Sequence, residues 1–188
     1  LSSAVAIGEN AFAESTYYDV NGYQQYSKNQ FTTVLLSDKC NSLAEYAFAN
    51  CEKLTFVTIN SKFLKLGQFV FDTCSSLKTI SINASVIPAG AFNECTSLNS
   101  ITLGKDVAVI EEYAFSNTKI STFTVDKDNT YLKAADGGKY LTNASGDTIL
   151  LAAPGLHTLT VNDSKITSVG NGAFSNCSRL NSVIIPSV

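Results

Sequence analysis

The chemistry-bearing side chains of this 188-residue chain are few: five cysteines, one histidine and a short acidic run. His157 stands in PGLHTLTV, at the head of an alternating apolar stretch. A nucleophilic dyad would need a Ser or Cys beside it and a carboxylate to orient the ring. No spacing in the sequence ties His157 to such partners, so the reading is a solvated or locally bonded imidazole. Asp126, Asp128 and Asn129 suggest calcium. An EF-hand loop counted from Asp126 requires glycine at its sixth position and a carboxylate at its twelfth. Tyr131 and Gly137 stand there instead, and the motif fails. Loop acidity is the plain reading, with a calcium site of another kind as the alternative. The thiols lack the close pairing that zinc requires, since the chain has no C-x-x-C. Neither G-x-G-x-x-G nor a P-loop occurs. The expectation is therefore no catalytic residue, no metal and no cofactor. Four N-x-S/T sequons begin at Asn83, Asn143, Asn162 and Asn176. In a bacterial source they carry no expectation of glycosylation.

The elements that would position these residues form a repeat. Ala11-Phe12, Ala47-Phe48, Val70-Phe71, Ala91-Phe92, Ala114-Phe115 and Ala173-Phe174 share one pattern, with Phe-to-Phe steps of 36, 23, 21, 23 and 59 residues. Five residues before each Phe stands Ile7, Leu43, Leu66, Ile87, Ile110 or Val169. Three residues after it stands Ser15, Cys51, Cys74, Cys95, Thr118 or Cys177. A second block reads apolar-x-x-apolar-x-apolar, as in Phe31/Val34/Leu36, Leu77/Ile80/Ile82 and Leu180/Val183/Ile185, and it occurs seven times. Its last part alternates and is rich in β-branched residues, which marks a half-buried strand. Each unit of about 22 residues thus holds one short strand and a return segment. A single unit cannot bury its apolar face, whereas stacked units share a continuous core. The return segment is too short for a regular helix and predicts a turn or a short 3₁₀ piece.

The phrases LGQFVFDTCSSLKTISI, IPAGAFNECTSLNSITL and VGNGAFSNCSRLNSVII carry the pattern I-G-x-x-A-F-x-x-C-x-x-L-x-x-I-x-I. This resembles the BspA-type leucine-rich repeats of bacterial surface proteins, over nearly the whole chain. The resemblance implies a β-rich α/β solenoid, a horseshoe of about seven units with a parallel sheet on one face. It also implies secretion or display at the cell surface, and adhesion to protein or glycan on a host cell or matrix. The matching positions are core positions, so they specify the repeat class and not one function.

Residues 1–188 read as one such domain with two irregularities. A Tyr-rich insert at 16–30 carries Tyr17, Tyr18, Tyr23 and Tyr26, and an excursion at 126–155 reads as a β-hairpin or meander. The end at VIIPSV, directly after a strand block, predicts further repeats or a neighbouring domain in the same chain.

The cysteine column (Cys51, Cys74, Cys95, Cys177) reads as small buried side chains alongside the structural core of Phe12, Phe48, Phe71, Phe92, Phe115 and Phe174. Cys40, eight residues before Phe48, also takes a core place. The outward strand positions are nearly all hydroxyls. One column runs Thr33, Phe56, Thr79, Ser100, Thr122, Thr158, Ser182 and the next Leu35, Thr58, Ser81, Thr102, Thr124, Thr160, Ile184. Thr suits a solvent-facing strand on its own account. The functional reading makes this face and the exposed tyrosines a partner-binding surface. With 45% hydrophobic residues and net charge −3, disorder is excluded and nucleic acid is not the expected partner. No apolar run reaches a membrane span. A non-enzymatic binding or adhesion module follows, with a structural spacer that projects another domain as the alternative.

Overall fold

A computed structural model describes residues 6–13, 15–18, 20–21, 24–27, 29–59, 61 and 64–185, with 15–18 and 24–27 as backbone. The alternating blocks form strands, because a period of two places one apolar set inside and the hydroxyl set outside. Thr33–Leu36, Phe56–Ile59, Thr79–Ile82, Ser100–Leu103 and Thr122–Val125 make one five-stranded parallel sheet in that order. The register keeps like beside like: Val34 faces Val57, and Ile80 faces Ile101, which faces Phe123. On the return side the strands have only two residues. Ala6–Ile7, Ser42–Leu43 and Lys65–Leu66 form one parallel ribbon, and Val86–Ile87 pairs with Val109–Ile110 in another.

Between the two sheets lies a single column of rings. Phe12 stacks on Phe48 at 5.1 Å, Phe48 on Phe71 at 5.4 Å, Phe71 on Phe92 at 5.5 Å and Phe92 on Phe115 at 5.7 Å, all within 14° of parallel. These spacings slightly exceed the strand spacing of about 4.8 Å. The sheet therefore sets the stack, and the rings fill the space it leaves.

The α/β class is corrected: the structure is a β-solenoid. Its one helical element among the described residues is the three-residue 3₁₀ turn Asp136–Gly138. The Ala-Phe segments are tight turns. Residues two before and two after Phe48, Phe71, Phe92 and Phe115 are left-handed: Tyr46 and Asn50, Phe69 and Thr73, Gly90 and Glu94, Tyr113 and Asn117. Two such residues around each ring forbid a right-handed helix there. Their strain is offset by a backbone ladder between coils. Phe48 N–H donates to Val70 O at 2.9 Å, Phe71 to Ala91 O at 2.9 Å and Phe92 to Ala114 O at 2.8 Å. A helix would use the same donors internally, and the stack would lose them.

The expected count of about seven units is also corrected, since the array amounts to about six turns. The sheet ends at Thr122–Val125, and Thr158–Thr160 pairs separately with Ser182–Ile184. Between them an antiparallel meander of Leu132–Ala135, Tyr140–Asn143 and Thr148–Ala152 intervenes. Its last strand pairs in parallel with Ser168–Val169, which returns the chain to solenoid order. Gly138 makes the meander possible: its φ is +90°, and a Cβ there would lie 2.3 Å from Phe123 O. Phe115, with no ring to follow, meets Phe123 at 6.0 Å and a 55° tilt. Val169 and Val183, read as inward, are 43% and 39% exposed, because no described coil stacks beyond them. Ser15–Tyr18 and Gln24–Ser27 form an antiparallel hairpin in the segment 16–30.

Candidate functional site

The thiols can be set aside as chemistry first. All five are free. Cys51 donates to Phe12 O at 3.2 Å, Cys74 to Phe48 O at 3.2 Å and Cys95 to Phe71 O at 3.1 Å. Each thiol therefore hydrogen-bonds the carbonyl of the ring-bearing residue one coil earlier. Cys177 makes the same reach to Ala152 O at 3.7 Å, and Thr118 bonds within its own turn to Phe115 O at 2.9 Å. Burial pushes Cys74 well above the usual thiol range and Cys177 up to about 11. Thiolate is the nucleophile and the metal ligand, so these groups are poor at both. Cys40 is buried and points to Ser42 O at 3.9 Å.

His157 is exposed, and its carbonyl accepts the Asn181 N–H at 2.8 Å. Among the described residues no three His, Cys, Asp or Glu side chains are placed to hold a metal. The acidic stretch is a turn. Asp128 N–H bonds Asp126 Oδ1 at 2.9 Å, and Asn129 works as a pin. Its Nδ2 donates to Gly104 O at 2.8 Å and Val107 O at 2.9 Å, while its Oδ1 accepts from Tyr131 N at 2.8 Å and Leu132 N at 2.9 Å. The sequence reading missed this role, and its signal was an Asn closing D-x-D-N, a residue type that caps turns.

Three sequon asparagines are similarly committed. Asn83 bridges to Asp106 through both amide atoms, at 2.9 and 3.0 Å. Asn143 Oδ1 accepts from Gly146 N and Asp147 N at 3.0 and 3.1 Å. Asn176 is buried and accepts the Ser116 hydroxyl at 2.7 Å. The hydrogen bond from Asn143, and then that from Thr148, hold Asp147 below the usual carboxylate range. Asp106 is held low by Lys105 and then Asn83.

The surface left for a partner is the outward face of the five-stranded sheet. Thr33, Phe56, Thr79, Ser100 and Thr122 lie side by side, as do Leu35 and Thr58, and separately Ser81, Thr102 and Thr124. All are exposed except Ser100, which is half-buried. Phe56 is 55% exposed and Leu35, diagonal to it, 62%. The two form an apolar spot at one end of an uncharged hydroxyl array. Leu35 adds an apolar side chain to this face. Thr158 and Thr160 are exposed but sit on the second sheet, beside Ser182 and Ile184. The hydroxyl rows are therefore two surfaces. Tyr17, Tyr18 and Tyr26 lie on the paired strands of the hairpin, where Tyr17 faces Gln25 and Tyr26 faces Thr16. Tyr23 lies outside the described residues.

A parallel β-solenoid with ring-bearing turns and a cysteine ladder defines a leucine-rich repeat architecture of the all-β kind. The BspA type leucine rich repeat region model matches residues 19–135 and 148–188 in six copies. The chain belongs to this family. The gap in the match falls within the meander. None of the curated proteins matches the chain. Among solved structures it is similar to a leucine-rich repeat protein from Eubacterium ventriosum, at 19% identity and a TM-score of 0.66 over 96% of this chain and 45% of that one. It is also similar to the pneumococcal vaccine antigen PcpA, at 16% identity and a TM-score of 0.58 over 96% of this chain and 56% of that one. The chain thus spans about half the length of these relatives, and at such identity the likeness shows the fold. Among the described residues no helix is long and apolar enough to cross a membrane.

Proposed function

We propose that this chain is a non-enzymatic recognition module of a secreted or surface-displayed bacterial protein, adhering to protein or glycan on a host cell or matrix. The observation that carries the reading is the outward sheet face. It is exposed, uncharged and regular, with Phe56 and Leu35 as a single apolar spot. An aromatic face beside rows of hydroxyls suits a sugar ring or a flat protein surface. With no charge to steer encounter, association is slow and affinity modest for one module. Family membership supports surface display, and the name of the pneumococcal relative as a vaccine antigen agrees with it. Tyr17, Tyr18, Tyr23 and Tyr26 are proposed as a second group of contact residues, on the amphipathic chemistry of tyrosine.

The test presents the protein to arrayed glycans and to purified matrix proteins. Binding should be saturable, and Phe56→Ser or the pair Thr102→Lys with Thr124→Lys should weaken it at least tenfold with an unchanged melting temperature. Absence of any saturable ligand, or binding indifferent to all three changes, would favour a spacer that only projects other domains.

A further inference from the structure

The meander leaves a defect on the return side of the solenoid, away from the hydroxyl face. In the regular coils five residues separate the back-strand residue from the ring, as from Ile110 to Phe115 and from Val169 to Phe174. In the coil that the meander supplies, Ile149 takes the back-strand place, since it pairs with Val169. Ala152 takes the place of the ring-bearing residue: its N–H donates to Ala173 O at 2.8 Å, as Phe71 N–H does to Ala91 O. Cys177 reaches Ala152 O as Cys95 reaches Phe71 O. This tip is therefore two residues short and carries no ring. The tips on either side, Glu111–Glu112 and Asn171–Asn176, flank a cavity of about 260 Å³. Its lining includes Leu132, Leu141, Leu150 and Leu151. The Ser116–Asn176 hydrogen bond of 2.7 Å ties the two flanking tips together.

Beside this defect lies an open strand edge. The next coil donates two N–H groups to the back strands Ser42–Leu43 and Val86–Ile87, whereas Leu64 O and Leu66 O accept none among the described residues, the next coil there having Pro88, which lacks an N–H. Lys65 N reaches Asn41 O at 2.8 Å and Gly67 N reaches Leu43 O at 2.7 Å; Val109 N reaches Ser85 O at 3.1 Å and Glu111 N reaches Ile87 O at 2.9 Å. The corresponding acceptors for the next coil are Ala108 O and Ile110 O. Among the described residues no donor reaches either. Tyr140–Asn143 occupies the edge of Thr148–Ala152 that would face them, and it pairs there instead. Val109, on the open edge, is 48% exposed. The lining has two carboxylates, Glu111 and Glu112, and no cation.

We propose that this notch captures an extended peptide segment of a partner protein, which completes the interrupted coil by adding a strand to Val109–Ile110. The peptide donates two backbone N–H groups to Ala108 O and Ile110 O. It seats an apolar side chain among the leucines and directs a neighbouring Lys or Arg to Glu112. Strand addition derives affinity from main-chain bonds and specificity from alternate side-chain pockets. A Lys-Leu pair has the required chemistry, and Lys65–Leu66 occupies the same kind of edge against Ser42–Leu43 in this molecule.

The probe is a fluorescein-labelled synthetic peptide copying residues 61–69, SKFLKLGQF, titrated with the whole chain and followed by anisotropy. Saturable binding is expected. Methylating the two donating peptide nitrogens should abolish it, and Glu112→Lys should weaken it at least tenfold at low salt. Leu150→Trp should block the notch, with circular dichroism reporting that the fold is kept. Phe56→Ser, on the other face, should leave it unchanged, which separates this site from the sheet-face reading. No saturable binding at millimolar peptide, or equal binding by the methylated peptide and the Glu112→Lys protein, would overturn the proposal.

Discussion

Replacing Phe71 by Ala removes the middle ring of a column in which no neighbour can substitute for it. The ring is fully buried, 5.4 Å from Phe48 and 5.5 Å from Phe92. Truncating a buried Phe costs about 3–5 kcal/mol, with the higher values where the surroundings cannot collapse. Collapse is blocked here on both sides. Toward the next coil, Phe71 N–H bonds Ala91 O at 2.9 Å and Cys95 bonds Phe71 O at 3.1 Å; toward the preceding one, Phe48 N–H bonds Val70 O at 2.9 Å and Cys74 bonds Phe48 O at 3.2 Å. The coils stay at sheet spacing and a ring-sized void remains, so about 4 kcal/mol is expected. For a domain of this size that lowers the melting temperature by about 10 °C. Phe12→Ala, at the half-buried end of the column with one stacked neighbour at 5.1 Å, should cost about 2 kcal/mol. Phe56→Ala, on the outward face, should change stability by less than about 0.5 kcal/mol. Urea unfolding followed by far-ultraviolet circular dichroism ranks the three. Stability in a solenoid is a sum of coil and nearest-neighbour terms, so Phe71→Ala should also broaden the transition as the two halves uncouple. Equal costs for Phe71 and Phe12, or a cost for Phe71 within 1 kcal/mol of that for Phe56, would refute the argument from stacking.

The remaining predictions concern the pin and the last thiol. Asn129→Ala removes four hydrogen bonds that tie the meander to the coil of Gly104–Val107; at about 1 kcal/mol net per bond, partly recovered by water, the loss should be about 2–3 kcal/mol. Limited proteolysis should then cut within 130–147, and an unchanged digestion pattern would count against the anchoring role. Cys177 has a folded-state pKa of about 11, above its ordinary 9.0, because burial opposes the thiolate. Its contribution to stability is complete below about pH 9 and is lost as pH rises through about 11. Urea midpoints of the natural protein and of Cys177→Ala, compared from pH 8 to 11, should show the difference between them moving in the variant's favour as pH rises; a constant difference would contradict the burial.

How far the sequence could be read follows from which interactions repeat. The inward columns were legible because stacking imposes the same apolar choice at Phe48, Phe71, Phe92 and Phe115, and a period survives local noise. The cysteine column was legible as a core feature for the same reason. That each thiol bonds back one coil was not, since nothing in spacing says which carbonyl lies within reach. The turn at each tip was expected, but the α/β part of the fold class is not what the structure has. Tyr46, Phe69 and Tyr113 adopt left-handed backbone conformations that intrinsic preference disfavours, and only the ladder between coils stabilises them there. That ladder is a tertiary interaction with no local signature.

The interrupted coil shows the same limit from the other side. A missing Ala-Phe pair between Val125 and Leu156 revealed that the period broke, and DGG and SGD marked the turns of the meander. Nothing in the string could show that Ala152 would assume the place of a ring-bearing residue, because Ala152 is recognisable there only by its N–H to Ala173 O and by the thiol of Cys177. That substitution leaves a tip two residues short and a cavity with leucines in its lining, beside two carbonyls that no donor among the described residues reaches. A repeat specifies surfaces by repetition, so every regular coil presents much the same outward chemistry and discriminates poorly between partners. Specificity in such an array must come from positions where the repetition fails. In this chain those are the Phe56–Leu35 spot, the hairpin at 16–30 and the notch beside Val109–Ile110. The first two add chemistry to the regular scaffold, whereas the notch exposes pairing groups that are satisfied at Ser42–Leu43 and Val86–Ile87.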